Sequence, residues 1–119
     1  MKKAIVKQIG EQAIDKNDRM IIFFNDEATI ELKKVSVIQE FSENSDTVEL
    51  KKGGIISIDN NDYEITQVGS LATKQLNTIG HITMIFDEVP VANEVLSSAV
   101  YLSPVSMPSL VEGSVISYY

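Results

Sequence analysis

Short apolar runs separated by turn-forming residues are the feature that most restricts the fold of this chain. Examples are MIIFF at 20–24, IISI at 55–58, HITMIF at 81–86 and AVYL at 99–102. Such short runs, rich in β-branched and aromatic side chains, favour strands over helices. Eight or nine strands are predicted from this pattern, and they do not alternate with helices as a doubly wound sheet requires. We therefore expect an all-β, barrel-like or sandwich domain whose strands are mostly antiparallel.

One segment departs from this pattern and predicts a short helix near 71–79. Its apolar residues recur at helical spacing and place one face against the sheet: Leu71, Ala72, Leu76 and Ile79. Ser70 is expected to cap the N-terminus of this helix, and Gly80 is expected to follow its last turn.

Three connecting segments carry weaker signals. The residues DNND at 59–62 predict a hairpin connection. Val48 and Leu50 alternate with charged residues and predict a short exposed strand. The polar segment 39–46 is predicted to be a loop.

Length and charge indicate one acidic domain. The 119 residues, of which 44% are hydrophobic, suffice for a single domain over 1–119 with its own core. The net charge of −7 argues against nucleic acid or an anionic membrane as a partner, since both require a concentrated cationic surface. The first apolar run is broken at Lys7, and no apolar stretch approaches the ~20 residues that span a bilayer. We expect a cytoplasmic protein without stable membrane insertion.

The chemistry available to the chain is narrow. It has no cysteine, and it contains none of the glycine patterns GxxxxGK[ST], GxGxxG or GxSxG, so no cofactor or metal site is predicted. His81 is the sole histidine, and therefore the one side chain whose ordinary pKa lies near neutral pH. Two interpretations are open. His81 is either a strand-entry residue that hydrogen-bonds a backbone carbonyl or a carboxylate, or a nucleophile that forms a covalent phosphoryl intermediate.

Four segments resemble a known family. They are KQIGEQAID at 7–15, MIIFF at 20–24, YEITQVGSLATKQLNTIGHITMIFD at 63–87 and VEGSVISY at 111–118. With the pattern LxxxGHxTxxFD inside the third segment, the chain resembles the glucitol/sorbitol-specific enzyme IIA component of the bacterial phosphoenolpyruvate-dependent sugar phosphotransferase system. The resemblance implies an all-β barrel and a cytoplasmic phosphocarrier. Such a protein takes a phosphoryl group on histidine from the histidine-containing phosphocarrier protein and passes it to the IIB domain of a IIB/IIC membrane permease.

In this resemblance the phosphoacceptor histidine of the family falls at about Gln39, within VSVIQEF at 35–41. A glutamine amide cannot accept the phosphoryl group, because it lacks a nucleophilic lone pair comparable to that of an imidazole nitrogen. No histidine precedes His81, so a shift of the alignment does not supply one. Three roles stay open: a paralogue that keeps the fold without transfer, a phosphocarrier that uses His81, or a regulatory or accessory binding protein in sugar utilisation. A small-molecule-binding barrel outside this system is a further alternative.

Overall fold

Eight strands close into a barrel in a computed structural model, which describes residues 1–15, 17–43 and 46–119. The strands are β1 (Lys2–Ile9), β2 (Met20–Phe24), β3 (Val37–Phe41), β4 (Ile55–Ile58), β5 (Asn61–Val68), β6 (Ile82–Ile85), β7 (Ala99–Ser103) and β8 (Val115–Tyr118). Around the barrel their order is β1-β3-β2-β6-β7-β5-β4-β8. The pairs β2/β3 and β6/β7 are parallel, and the other six are antiparallel. The predicted all-β, mostly antiparallel barrel is confirmed.

Side chains at alternate strand positions fill the barrel. In β1, Ala4 and Val6 are buried, whereas Ile5 between them is exposed. Phe23 and Tyr118 are among the largest side chains with no solvent exposure. Full burial of an apolar side chain of this size stabilises a fold by about 1.5–3 kcal/mol relative to an exposed one. Since eight strands leave an interior just wide enough for side chains, a site on this barrel is expected at its outer surface or at a mouth.

Strand β3 occupies part of the segment that the sequence predicts as a loop. The loop prediction for 39–46 is wrong at 39–41, where β3 pairs antiparallel with β1; residues 44 and 45 lie outside the described residues. Gln39 lies opposite Val6 of β1 and is buried. A polar residue at an inward-facing position conceals the apolar alternation that normally reveals a strand.

The segment that contains Val48 and Leu50 runs beside helix α2 (Ala72–Ile79), and residues 46–50 do not form the predicted exposed strand. The Val48 N–H donates to Asn77 Oδ1 at 3.1 Å, and the Leu50 N–H donates to Thr73 Oγ1, also at 3.1 Å. Helix side chains thus satisfy backbone groups that a strand neighbour would otherwise satisfy. Leu50 is buried, which the alternation with charged residues does not reveal.

Helix α2 confirms the predicted helix and its predicted end. Gly80 follows its last residue with a φ of +66°, the left-handed conformation that commonly ends helices at glycine. Its beginning differs from the prediction, because Leu71 is the N-cap residue and no side-chain hydrogen bond caps the helix, so the Ser70 cap is wrong. The buried face of the helix consists of Ala72 and Leu76.

A shorter helix, α1 (Ile30–Lys34), precedes β3. Thr29 caps it by accepting a hydrogen bond from the Leu32 N–H at 3.2 Å. Among the described residues, no helix is both long enough and apolar enough to cross a membrane.

Candidate functional site

His81 lies between the end of α2 and the start of β6, and its side chain is half buried. Its Nδ1 atom is 3.1 Å from the backbone carbonyl oxygen of Phe23. A carbonyl oxygen can only accept a hydrogen bond, so the neutral ring must carry its proton on Nδ1. The lone pair of the neutral imidazole is therefore on Nε2, which is the nitrogen that could act as a nucleophile.

The imidazole ring is also held by a stacking contact. The ring of Phe24 lies parallel to it, with ring centroids 4.2 Å apart and an interplanar angle of 14°. The backbone carbonyl of Phe23 and the side chain of Phe24 are consecutive groups of β2, so one strand fixes both the tautomer and the plane of His81. This matches the contact expected of a strand-entry histidine, and it leaves Nε2 without a hydrogen bond to the described residues.

A shallow groove of about 370 Å³ opens beside the ring, and we call it the His81 groove. It is lined by Ile22, Phe24, Leu32, Val35, His81, Thr83, Leu96, Ser97 and Ser98. Leu32 and Leu96 project into solvent, with 37% and 50% of their surface exposed. In the part of the chain that the structure describes, no lysine, arginine, aspartate or glutamate lines this groove. The groove thus offers an apolar contact surface with three hydroxyl groups around a single imidazole.

Gln39, the other site residue indicated by the sequence, has no solvent exposure. Its Nε2 donates to the backbone carbonyl oxygen of Gly80 at 3.0 Å, and its Oε1 accepts from the Tyr118 hydroxyl at 2.6 Å. The side chain therefore lies inside the barrel, does not line the His81 groove and has a partner on each amide atom. The structure nevertheless brings Gln39 next to His81, because the carbonyl it binds belongs to the Gly80–His81 peptide.

Tyr118 is a third member of this arrangement, and sequence reasoning did not identify it. Burial raises the pKa of its phenol well above the usual range, and the hydrogen bond to Gln39 offsets only part of that effect. The hydroxyl is thus protonated at neutral pH and acts as a hydrogen-bond donor. Its signal in the sequence is weak: a tyrosine in a terminal strand is as compatible with an exposed position as with a buried one.

Sequence reasoning also did not identify the residues that form the walls of the His81 groove. Leu32 and Val35 come from α1 and the residue after it, whereas Leu96, Ser97 and Ser98 precede β7. These segments are far from His81 along the chain, and neither has a motif that links it to a histidine. Within the described residues, no three histidine or acidic side chains lie close enough to hold a metal ion.

Residues 1–117 match the model of the family described as the glucitol/sorbitol-specific IIA component of the PTS, the phosphotransferase system. This chain belongs to that family. The match covers both Gln39 and His81, and it confirms the family that the four sequence segments indicate.

Two relatives support the assignment. The chain is 34% identical over 83 residues to the PTS system glucitol/sorbitol-specific EIIA component of Escherichia coli strain K12, an alignment that covers 69% of this chain and 66% of that protein. It also resembles the crystal structure of a PTS system IIA component from Enterococcus faecalis V583, with 41% identity, a TM-score of 0.92 and 98% of each chain covered. The barrel is therefore shared with a solved member of the phosphotransferase system.

Proposed function

We propose that this protein is a cytoplasmic phosphocarrier of a glucitol/sorbitol-type phosphotransferase system, and that Nε2 of His81 accepts the phosphoryl group. Family membership supports the phosphocarrier role. The observation that carries the choice of residue is the ring geometry: Nδ1 is committed to the Phe23 carbonyl, which leaves the lone pair on Nε2, and His81 lines an open groove. The donor is the histidine-containing phosphocarrier protein, and the recipient is the IIB domain of a IIB/IIC permease.

The transfer is a displacement at phosphorus in which His81 takes part through both ring nitrogens. The Nε2 lone pair forms the new N–P bond while the donor's N–P bond breaks, and that electron pair returns to the donor's imidazole nitrogen. The positive charge that develops on the His81 ring reaches Nδ1–H. The Phe23 carbonyl, 3.1 Å away, stabilises that charge without any reorganisation of the site.

The His81 groove accounts for the other requirements of a phosphocarrier. Its apolar walls, including Leu32 and Leu96, provide a surface on which a partner protein can dock and exclude water from the N–P bond. The hydroxyl groups of Thr83, Ser97 and Ser98 are the donors available to the phosphoryl oxygens. Among the described residues, no cationic side chain lines the groove, so none of them clamps the bound phosphoryl group by charge, and the group can be passed on.

The second candidate function is a non-phosphorylatable paralogue that acts as a regulatory or accessory binding module. It is favoured by the state of Gln39, at which the family resemblance predicts the acceptor position: this side chain is enclosed within the barrel, and both of its amide atoms are hydrogen-bonded. A side chain at position 39 offers no route to a phosphoryl donor unless the barrel opens.

Phosphorylation in a reconstituted system tests the proposal. The protein is incubated with phosphoenolpyruvate, enzyme I and the histidine-containing phosphocarrier protein, and its intact mass is measured. We expect one acid-labile phosphoryl group that is absent in His81→Ala and present in Val111→Ala, a control at a 63% exposed residue outside the groove. Subsequent addition of IIB should remove the group.

An unchanged mass in the wild-type protein would refute the phosphocarrier proposal. Titration of the unphosphorylated protein against the carrier and IIB proteins then decides the second candidate. Association without phosphorylation supports the binding module, and absence of association eliminates it.

A further inference from the structure

The peptide unit between Gly80 and His81 is held at both ends by groups from other parts of the fold. Its carbonyl oxygen accepts from Gln39 Nε2 at 3.0 Å, and its N–H, which belongs to His81, donates to the Gln75 carbonyl at 3.2 Å. Because the six atoms of a peptide unit are coplanar, two anchors at opposite ends fix the orientation of the whole plane. The Cα of His81 is part of that plane, so the point at which its side chain leaves the backbone is also fixed.

The backbone of Gly80 has little freedom to move in response to strain. An added Cβ would lie 2.9 Å from Asn25 Cβ and 3.2 Å from Phe41 Cε2, so its neighbours leave no room for a side chain at this residue. The Gly80–His81 peptide unit is therefore surrounded by Gln39, Asn25 and Phe41. The polar contact among them comes from Gln39.

The orientation of the Gln39 amide follows from the chemistry of its two neighbours. The Gly80 carbonyl can only accept, so the NH₂ group must face it, since a flipped amide would set two oxygen atoms against each other. The Tyr118 hydroxyl then donates to Oε1. The two contacts agree on one orientation, and the amide is therefore locked as well as buried.

We propose that Gln39 is a positioning residue for His81: its buried amide holds the Gly80 carbonyl and thereby keeps the imidazole on the Phe23 carbonyl with Nε2 toward the groove. The kinetic part of this proposal rests on the proposed function, whereas its structural part does not. Gln39 thus acts on the site from inside the barrel, because the carbonyl that it binds belongs to the peptide unit that joins Gly80 to His81.

Glutamine suits this role for a physical reason. A neutral imidazole at position 39 could also donate to the Gly80 carbonyl and accept from Tyr118, but it would titrate near neutral pH. The glutamine amide offers the same donor and acceptor at every physiological pH. Glutamine at position 39 therefore provides this hydrogen-bond pattern without any dependence on protonation.

Nitrogen-15 NMR of the imidazole provides the test, because the sole histidine gives one set of ring signals. In the wild-type protein we expect the neutral ring in the Nδ1–H tautomer. Gln39→Met keeps the length of the side chain and removes the donor, so we expect mixed tautomers as the ring leaves the Phe23 carbonyl. Tyr118→Phe is the matched control: it removes a hydrogen bond from the same network and keeps the donor to Gly80, so we expect the wild-type tautomer.

Transfer kinetics supply a second readout. A displacement of about 1 Å at a reacting group can lower a rate about a hundredfold, so we expect Gln39→Met to transfer about tenfold to a hundredfold more slowly, with Tyr118→Phe within about twofold of the wild type. Gln39→His retains one donor and one acceptor, and we expect it to keep the Nδ1–H tautomer of His81. The double variant Gln39→His/His81→Ala identifies the signals of the second imidazole.

A folded Gln39→Met protein with the wild-type tautomer and the wild-type transfer rate would overturn the proposal. If Gln39→Met does not fold, Gln39→His decides, because mixed His81 tautomers in that variant would contradict the role of the donor. If the wild-type protein accepts no phosphoryl group, the proposed function fails, but the tautomer comparison still decides the role of Gln39.

Discussion

Replacing Gly80 with alanine tests whether the backbone beside His81 is as restricted as the structure indicates. An alanine at a φ of +66° lies in the left-handed region, which costs about 1–2 kcal/mol for a residue with a Cβ. The new Cβ would also lie 2.9 Å from Asn25 Cβ, 3.1 Å from the Asn25 nitrogen and 3.2 Å from the Phe41 ring. Overpacking of this kind costs a further ~1–3 kcal/mol. We expect the free energy of unfolding to fall by about 2–5 kcal/mol in total.

Urea unfolding of the wild type, Gly80→Ala and Gly53→Ala measures this difference. Gly53 has a φ of +90° and no heavy atom within 4 Å of an added Cβ, so its replacement carries the backbone cost without the contacts. Since +90° is farther from the left-handed minimum than +66°, the backbone cost at Gly53 is at least as large. A greater loss for Gly80→Ala can therefore come only from Asn25 and Phe41. Equal losses in the two variants would refute the reasoning.

Three further predictions concern the network and the groove. Burial raises the pKa of the Tyr118 phenol, so above about pH 10 the unfolded chain releases this proton while the folded chain keeps it. The free energy of unfolding should therefore fall by up to about 1.4 kcal/mol per pH unit as the pH rises. Urea titrations on either side of that pH should show the fall, and Tyr118→Phe should reduce it; an identical fall in both proteins would contradict the assignment. The double variant Gln39→His/His81→Ala should gain no phosphoryl mass in the reconstituted system, because position 39 has no solvent exposure. A mass gain in this variant would show that the phosphoryl donor reaches the barrel interior. Leu96→Asp should weaken association with the carrier protein in calorimetric titration, whereas Val111→Asp, a 63% exposed residue outside the groove, should not. Both changes should alter the free energy of unfolding by less than about 0.5 kcal/mol.

The part of the fold that sequence reasoning predicts well is local. The runs at 20–24 and 55–58 coincide with β2 and β4, and Gly80 ends α2 where a left-handed residue is needed. The prediction fails at 39–41 and at 47–50. In the first segment, a polar side chain occupies an inward position, and in the second, the side chains of α2 bind the backbone. Both features depend on partners that are distant in the sequence.

For the candidate site, too, the sequence does not show contacts between residues that are distant along the chain. The sequence identifies His81 as its only histidine, because residue type can be read directly from the chain, whereas Gln39 was indicated only by the family resemblance, and its place at the acceptor position stays a prediction. The sequence does not show that the two residues meet, since the bond from Gln39 to Gly80 joins positions 41 residues apart. It also does not show which ring nitrogen is free, because the Phe23 carbonyl that fixes the tautomer lies 58 residues from His81.

By itself, the sequence therefore determined the class of fold, the family and the narrow set of groups that could carry chemistry. The tertiary structure alone decided the order of strands around the barrel, the burial of Gln39 and the hydrogen bond that commits Nδ1 of His81. The physical reason is that propensity and periodicity act over a few residues, whereas closing a barrel sets distant strands side by side. Hydrogen-bond partners, and with them the roles of Gln39 and His81, are fixed only at that step.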